Sequence, residues 1–320
     1  MDEIILGTRG SELALCQAEI VRDLLGRAHP GLPVTLRVLR TSADRDLHTS
    51  LRQFPDQGVF VRELERALLD GEITAAVHSL KDLPSALPAG LCLAACPQRE
   101  DPRDALVSRE GLPLAALPAG ATVGTGSPRR QAQLGHLRPD LRFVDVRGNL
   151  GTRLGKLQTP GRDADARDAD VLDALILAAA GLHRTGRAAV ITEYLALEQC
   201  VPAAGQGALA LEAREDAPFL PLLRALTDPA VEAAVVAERQ TIADLNAGCT
   251  TPLGVHGEVQ GDRLVLRAAL ASPDGTRLVR EIVTGSVQAP AEAGHALAAA
   301  LRAQGAEELI RAAQAGAAGE

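Results

Sequence analysis

The feature that most constrains this chain is an alternation of short apolar runs with stretches of helical periodicity, joined by turns of Gly, Thr, Ser and Arg. Ile4-Ile5-Leu6 leads into Gly7-Thr8-Arg9-Gly10-Ser11, after which Leu13, Cys16, Ile20 and Leu24 recur at helical spacing. Ser11 stands where an N-cap is wanted, since its hydroxyl can accept from a free backbone N–H of the first helical turn. Val34, Leu36 and Val38 alternate as in a strand. Phe60, Leu64, Ala67 and Leu68 mark a further amphipathic helix, and Ile73 to Val77 a further buried strand. Strands alternating with helices predict an α/β fold whose sheet contains parallel βαβ units.

A second segment repeats the first in outline. Ala121-Thr122-Val123 leads into Gly124-Thr125-Gly126-Ser127-Pro128-Arg129-Arg130, then a helical stretch, then a strand expected over Leu141 to Val146. Two similar α/β domains facing each other across a cleft account for the repetition, though a match so short is also open to coincidence. Gln158 to Asp170 has no apolar periodicity and reads as an exposed loop. Asp228-Pro229 supplies an N-cap and a proline at N1 for a helix reaching about Leu245. The loop Asn246 to Pro252 follows. Val259 to Ala269 and Leu278 to Val283 predict hairpin strands around Pro273-Asp274-Gly275, and Ala291 to Ala300 and Glu307 to Ala313 predict closing helices. This last third reads as a small α+β domain.

With 33 Lys+Arg against 41 Asp+Glu, the net charge of −8 argues against non-specific nucleic-acid binding. No apolar run approaches the roughly 20 residues that span a bilayer. Met1-Asp2-Glu3 lacks the basic start of a secretion signal, and the odd, scattered cysteines suit a reducing compartment. A cytoplasmic protein is therefore expected. Cys92 and Cys96 lie in an apolar stretch without further ligands nearby, so no metal site is expected there.

Arginines placed at element ends carry the main chemical signal. Arg9 and the pair Arg129 and Arg130 sit in turns before helices, Arg147 precedes Gly148-Asn149, Arg153 follows one turn later, and Arg184 follows the apolar run Leu175 to Leu182. Taken singly, each reads as a solvated surface residue. Their common placement beside Gly, Ser and Thr at helix starts also fits polyanion binding, with carboxylates and phosphates equally admissible. His78-Ser79-Leu80-Lys81-Asp82 follows directly on a buried strand, where ligands bind in open α/β sheets. Asp82 beside Lys81 reads either as a solvated ion pair or as a lone carboxylate able to stabilise a developing cation. His78 reads as structural, and Ser11 and Ser79 as caps or ligand donors. Cys249, in a loop of small residues, is either an inert thiol or a nucleophile or covalent anchor.

Taken together these segments resemble the porphobilinogen deaminase family. The resemblance rests on Gly7 to Ser11, Val77 to Pro84, Arg99-Glu100-Asp101-Pro102-Arg103-Asp104, Gly124 to Gln131, Arg147-Gly148-Asn149 with Gly151-Thr152-Arg153, Ala178 to Arg184, Gly205-Gln206-Gly207 and Gly248-Cys249, in the family's order. It implies two domains like those of periplasmic binding proteins around a cleft, plus a C-terminal α+β domain. The expected bounds are 1–98 completed by about 206–225, then 103–201, then 228–320. It implies a dipyrromethane cofactor in thioether linkage to Cys249, and Asp82 as the catalytic carboxylate. Arg9, Ser11, Ser79, Lys81, Thr125, Ser127, Arg129, Arg130, Arg147, Arg153 and Arg184 are implied as ligands of the acetate and propionate groups of cofactor and substrate.

The implied chemistry is a head-to-tail joining of four porphobilinogen molecules into hydroxymethylbilane by a monomer that needs no metal. Loss of ammonia leaves a cationic azafulvene, which a carboxylate facing the pyrrole N–H groups stabilises. Each added pyrrole brings two further carboxylates, for which the arginines provide. The sequence departs from the family pattern at Gln53 and Gln57, where lysines are usual, at Gly126 in the Gly-Thr-Ser-Ser form, and in the length of Gln158 to Asp170. A non-catalytic carboxylate-binding module of the same fold is the rival reading, and it needs neither Asp82 nor Cys249.

Overall fold

A computed structural model describes residues 3–39, 61–158, 171–248 and 250–318. Among these, the strands form two five-stranded sheets and one three-stranded sheet. In the first, β1 (Ile4–Arg9) lies between β2 (Val34–Leu39) and β3 (Ala75–Ser79) and is parallel to both. β10 (Leu209–Arg214) inserts antiparallel between β3 and β4 (Leu91–Ala95), giving the order β2-β1-β3-β10-β4. The second sheet repeats the scheme. β6 (Thr122–Gly124) is parallel to β7 (Arg142–Val144) and β8 (Ala174–Ala178), while β5 (Asp104–Ser108) runs antiparallel between β8 and β9 (Glu193–Tyr194). The inserted strand is in each case the first after a chain crossing. The repeat in the sequence is thus a repeat of topology, as two α/β domains around a cleft require.

Both sheets bury two faces, and their central strands alternate accordingly. Ala75 and Val77 of β3 pack with Ala18, Val21 and Leu25 of helix α1 (Glu12–Ala28), whereas Ala76 turns to Leu64 and Leu68 of the helix Arg62–Leu69. In β8, Ala174 and Ile176 meet Leu134 of the helix Pro128–Leu137, while Leu175 and Leu177 meet Leu154 and Leu157 of the helix Leu150–Gln158. Leu25, Leu64 and Leu134 have no exposed surface, and each contributes about 1.5–3 kcal/mol by burial.

Ser11 caps α1 by accepting from the Ala14 N–H. The buried face of α1, however, is Gln17, Ala18, Val21 and Leu25, with Leu13, Cys16, Ile20 and Leu24 only half-buried. Periodicity located the helix, but its rotation about its axis is set by β1 and β3, which receive the small Ala18 and the polar Gln17.

The third sheet is the antiparallel meander β11 (Leu253–Gln260), β12 (Arg263–Ala271) and β13 (Leu278–Ser286). The run Val259 to Ala269, expected as one strand, is divided: Gln260 pairs with Arg263 across the two-residue turn Gly261-Asp262. Helices Pro229–Asp244, Pro290–Ala303 and Ala306–Ala318 cover this sheet through Leu264, Leu266, Leu297, Leu301 and Leu309. Asp228 caps the first of them by accepting from Ala230 and Val231 N–H, as expected. The molecule is α/β with a small α+β third unit. Phe60, Gln53, Gln57, Cys249 and the stretch 159–170 lie outside the described residues; Gln158 ends its helix.

Candidate functional site

At its carboxyl end β3 turns into a single 3-10 turn, Leu80–Asp82. Leu80 is buried among Leu83, Cys96, Ala208 and Ala210, and its N–H donates to Ala208 O. With Leu80 anchored inward, Lys81 and Asp82 are left facing the cleft, and both line a cavity of 330 Å³. That volume is at the small end of ligand pockets. Asp82 is exposed. Burial presses Lys81 down to about 8, against the opposing pull of Asp82; Arg130 lowers it too, Asp104 raises it and Arg129 lowers it. Ser79 accepts from Gln17 Nε2 at 2.8 Å, and His78 is buried with its Nε2 3.1 Å from Glu212 Oε2.

The facing wall comes from the second sheet. β6 ends at Gly124, and Ser127 caps the helix Pro128–Leu137 by accepting from the Arg130 N–H. Thr125 Oγ1 accepts in turn from the Ser127 N–H. Gly126 takes its place against Asp145: a Cβ there would lie 2.8 Å from Asp145 Oδ1. Ser127, Arg129 and Arg130 line the cavity, yet both arginines are buried and committed to Asp104. Arg129 Nη1 is 2.6 Å from Asp104 Oδ2, and Arg130 Nη2 is 2.8 Å from Oδ1. Burial alone would raise the Asp104 carboxyl, but the two guanidiniums outweigh it and hold the group well below the usual carboxylate range. Burial disfavours the Arg129 charge, and Asp104 more than restores it.

Among the remaining candidates, Arg153 lines the same cavity and donates from Nε to Gly148 O at 2.8 Å. Burial lowers it, as does Arg130, while Asp145 and Asp82 act the other way. Arg147 donates from Nε to Asp145 Oδ2 at 2.9 Å. Arg184 donates from Nη2 to Gly207 O at 2.7 Å, and burial presses it down to about 10. Arg9 ends β1, half-buried, with Ser11 two residues on. Arg9, Ser11, Ser79, Thr125, Arg147 and Arg184 do not line this cavity.

The third unit forms the remaining wall. Ala247, Gly248 and Thr251 line the cavity, and the loop is pinned on both sides of position 249: Gly248 N–H donates to Thr251 Oγ1, and Thr251 N–H to Gly248 O. Arg239, which the sequence reading passed over, reaches from the helix Pro229–Asp244 to the carbonyls of Pro84 and Ser85, at 2.8 Å each. It ties this unit to the loop that carries Asp82.

Asp104 and Gln206 were also unassigned, although both stand inside quoted motifs. Their hydrogen bonds run between chain segments about 100 residues apart, which no local spacing reveals. Gly205 and Gly207 explain the motif around Gln206. Gly205 has φ +71, and a Cβ there would lie 2.8 Å from Leu80. Gly207 has φ +86, and a Cβ there would lie 2.3 Å from Glu100 O.

Fold and site together define a two-domain α/β cleft protein, its cleft lined by cations and closed by a third unit that also holds the Asp82 loop in place. Comparison with known proteins narrows the class. The family model described as "Porphobilinogen deaminase, dipyromethane cofactor binding domain" matches residues 4–220, and "Porphobilinogen deaminase, C-terminal domain" matches residues 233–303. Porphobilinogen deaminase of Roseiflexus sp. (strain RS-1) is 47% identical over 308 residues, 96% of this chain and 98% of that protein. The Thermobifida fusca (strain YX) protein of the same name is 49% identical over 324 residues, 97% of each chain. The chain belongs to the porphobilinogen deaminase family: it is a transferase with a dipyrromethane cofactor-binding domain. Among solved structures, a YaeC-family lipoprotein from Enterococcus faecalis V583 is similar at TM-score 0.40 and 12% identity, covering 71% of this chain and 91% of that one. A solute-binding protein of Pseudomonas putida F1 is similar at TM-score 0.38 and 11% identity, covering 76% and 81%.

Proposed function

We propose that the chain joins four porphobilinogen molecules head to tail, with loss of ammonia, on a dipyrromethane held in thioether linkage to Cys249, and that Asp82 is the catalytic carboxylate. One observation carries this reading: Asp82, Lys81, Arg153 and Gly248, the neighbour of Cys249, border a single cavity.

The donor set suits a cofactor and substrate rich in acetate and propionate groups. Lys81, Ser127 and Arg153 offer charged and hydroxyl donors on the cavity wall, and Arg9, Ser11, Ser79, Thr125, Arg147 and Arg184 extend the cationic and polar lining around the cleft. Arg129 and Arg130 serve chiefly through their fixed positive charge, since Asp104 already engages both guanidiniums. When bound, the dipyrromethane supplies the free pyrrole carbon that receives the first substrate unit. Asp82 accepts from pyrrole N–H groups and stabilises the cation left as ammonia departs. Its exposure to the cleft leaves it free to pass a proton to the departing amine and to take the proton that the joining α-carbon loses once the new bond has formed. The buried arginines and Arg239 keep the walls and the Asp82 loop in register while the ligand grows.

No helix among the described residues is long and apolar enough to cross a membrane. We take the protein to be a cytoplasmic monomer; light scattering on a size-exclusion column should return a mass near the 33.4 kDa of one chain. The decisive experiment is the intact mass of freshly purified protein. It should exceed the chain mass by one dipyrromethane, and Ehrlich's reagent should turn the protein pink-red. Cys249→Ser should lose both signs; an adduct that survives the substitution places the attachment elsewhere.

A further inference from the structure

Gln206 lies on the second chain crossing between the two large sheets, and it is 1% exposed although it lines the cavity. Its Nε2 donates to Pro102 O at 2.7 Å and to Asp104 Oδ1 at 2.8 Å. Those acceptors use both amide hydrogens and so fix which way the amide faces. Its Oε1 is thereby turned to Lys81, whose Nζ donates at 3.5 Å. The backbone carbonyl of the same residue accepts from Arg99 Nε at 3.0 Å. One neutral side chain therefore bridges an ammonium carried by the first sheet and the carboxylate of the second sheet that holds Arg129 and Arg130.

We propose that Gln206 is a positioning residue for the family's reaction: its amide joins Lys81 to Asp104 across the chain crossing, and so sets where the Lys81 ammonium meets a ligand carboxylate when the cleft is assembled. The proposal rests on the reading of Lys81 as a carboxylate-binding group. Glutamine is the residue type this position needs. It must donate twice on one side and accept once on the other without adding charge. A carboxylate here would face Asp104 at hydrogen-bond distance, and a cation would be a further one beside Lys81, Arg129 and Arg130. An apolar side chain would leave Pro102 O and Asp104 short of a donor inside the protein.

The groups around Lys81 are Asp82 on its own turn, Arg129 and Arg130 from the helix Pro128–Leu137, and Asp104 from β5. Against that fixed set, the Gln206 carbonyl favours the ammonium form. Its removal should make Lys81 lose its proton at lower pH, and a carboxylate in its place should do the reverse. A purely structural role would produce neither displacement.

The test uses holoenzyme and the pH dependence of kcat/KM for porphobilinogen, with native protein, Gln206→Leu, Gln206→Glu and Lys81→Met measured side by side. Intact mass confirms the adduct in each. In Gln206→Leu the alkaline limb should move down by about half a pH unit or more, and in Gln206→Glu it should move up by a similar amount. Limbs that coincide with the native one in both Gln206 variants, while Lys81→Met abolishes the limb, overturn the role of Gln206 alone. A native limb left untouched by Lys81→Met overturns instead the reading of Lys81. If neither Gln206 variant folds or acquires its cofactor, Gln206 is structural only and the proposal is likewise rejected.

Discussion

Asp104 shows how one buried residue can set the positions of a site's charged groups. It has no exposed surface, and its oxygens receive Arg129, Arg130 and Gln206. Because its folded-state pKa is depressed, it contributes stability above the unfolded-state value, and that contribution is lost as pH falls through the folded one. Asp104→Asn should cost about 3–5 kcal/mol at neutral pH, since two buried guanidiniums would lose their counter-charge. In urea titrations the gap between native and variant protein should be constant from about pH 7 to 5 and visibly smaller by about pH 3. A gap that does not narrow on acidification rejects the ion-pair account. Asp82 is the contrasting carboxylate, exposed and lining the cavity beside Lys81 and Arg153. Asp82→Asn should keep the cofactor adduct and its melting temperature while turnover falls on the order of 10²–10⁴-fold; near-native turnover removes Asp82 from its assigned role.

At the scale of elements, periodicity was a good guide to where strands and helices lie and a poorer one to how they sit. The caps Ser11 and Asp228 and the buried strand β3 were legible because each signal is complete within a few residues, whereas Gly7, Thr8 and Arg9, expected in a turn, continue strand β1 against β2. The inward face of α1 was not, because Leu13 and Val21 are equally apolar and only the sheet beneath selects between their faces. The split of Val259 to Ala269 at Gly261-Asp262 was overlooked, although Gly-Asp is a hairpin signal that could have revealed it. The Gly205-Gln206-Gly207 turn is the element where backbone and site meet. Gly207→Ala should lower stability by about 1–3 kcal/mol, through a strained φ and a Cβ pressed on Glu100 O. Chemical denaturation that shows no loss would mean the chain crossing yields more readily than its close contacts imply.

In the whole molecule the third unit is joined to the other two through charge. Glu238, fully buried on the helix Pro229–Asp244, accepts from Arg99 Nη1 at 2.6 Å and from the N–H groups of Gly205 and Gly257 at 2.6 and 2.7 Å. Burial works against its charge, and Arg99 with His256 more than offsets this, so its carboxyl stays below the usual range. Arg99→Ala should therefore cost about 3–5 kcal/mol by stranding a buried carboxylate. Adding Glu238→Gln should recover part of that loss in thermal melts; a double variant no more stable than Arg99→Ala would show that the stranded charge is not the cause.

The sequence by itself determined the α/β alternation, its twofold repetition, the α+β end and the candidates Asp82, Lys81 and Arg153, because periodicity and turn chemistry are local properties of a chain. Only the tertiary structure decided that Arg129 and Arg130 answer first to Asp104, that Gln206 stands between Lys81 and that carboxylate, and that Arg239 holds the Asp82 loop. The physical reason is that the partner of a buried charge or amide is selected by which distant segments the fold excludes from water together.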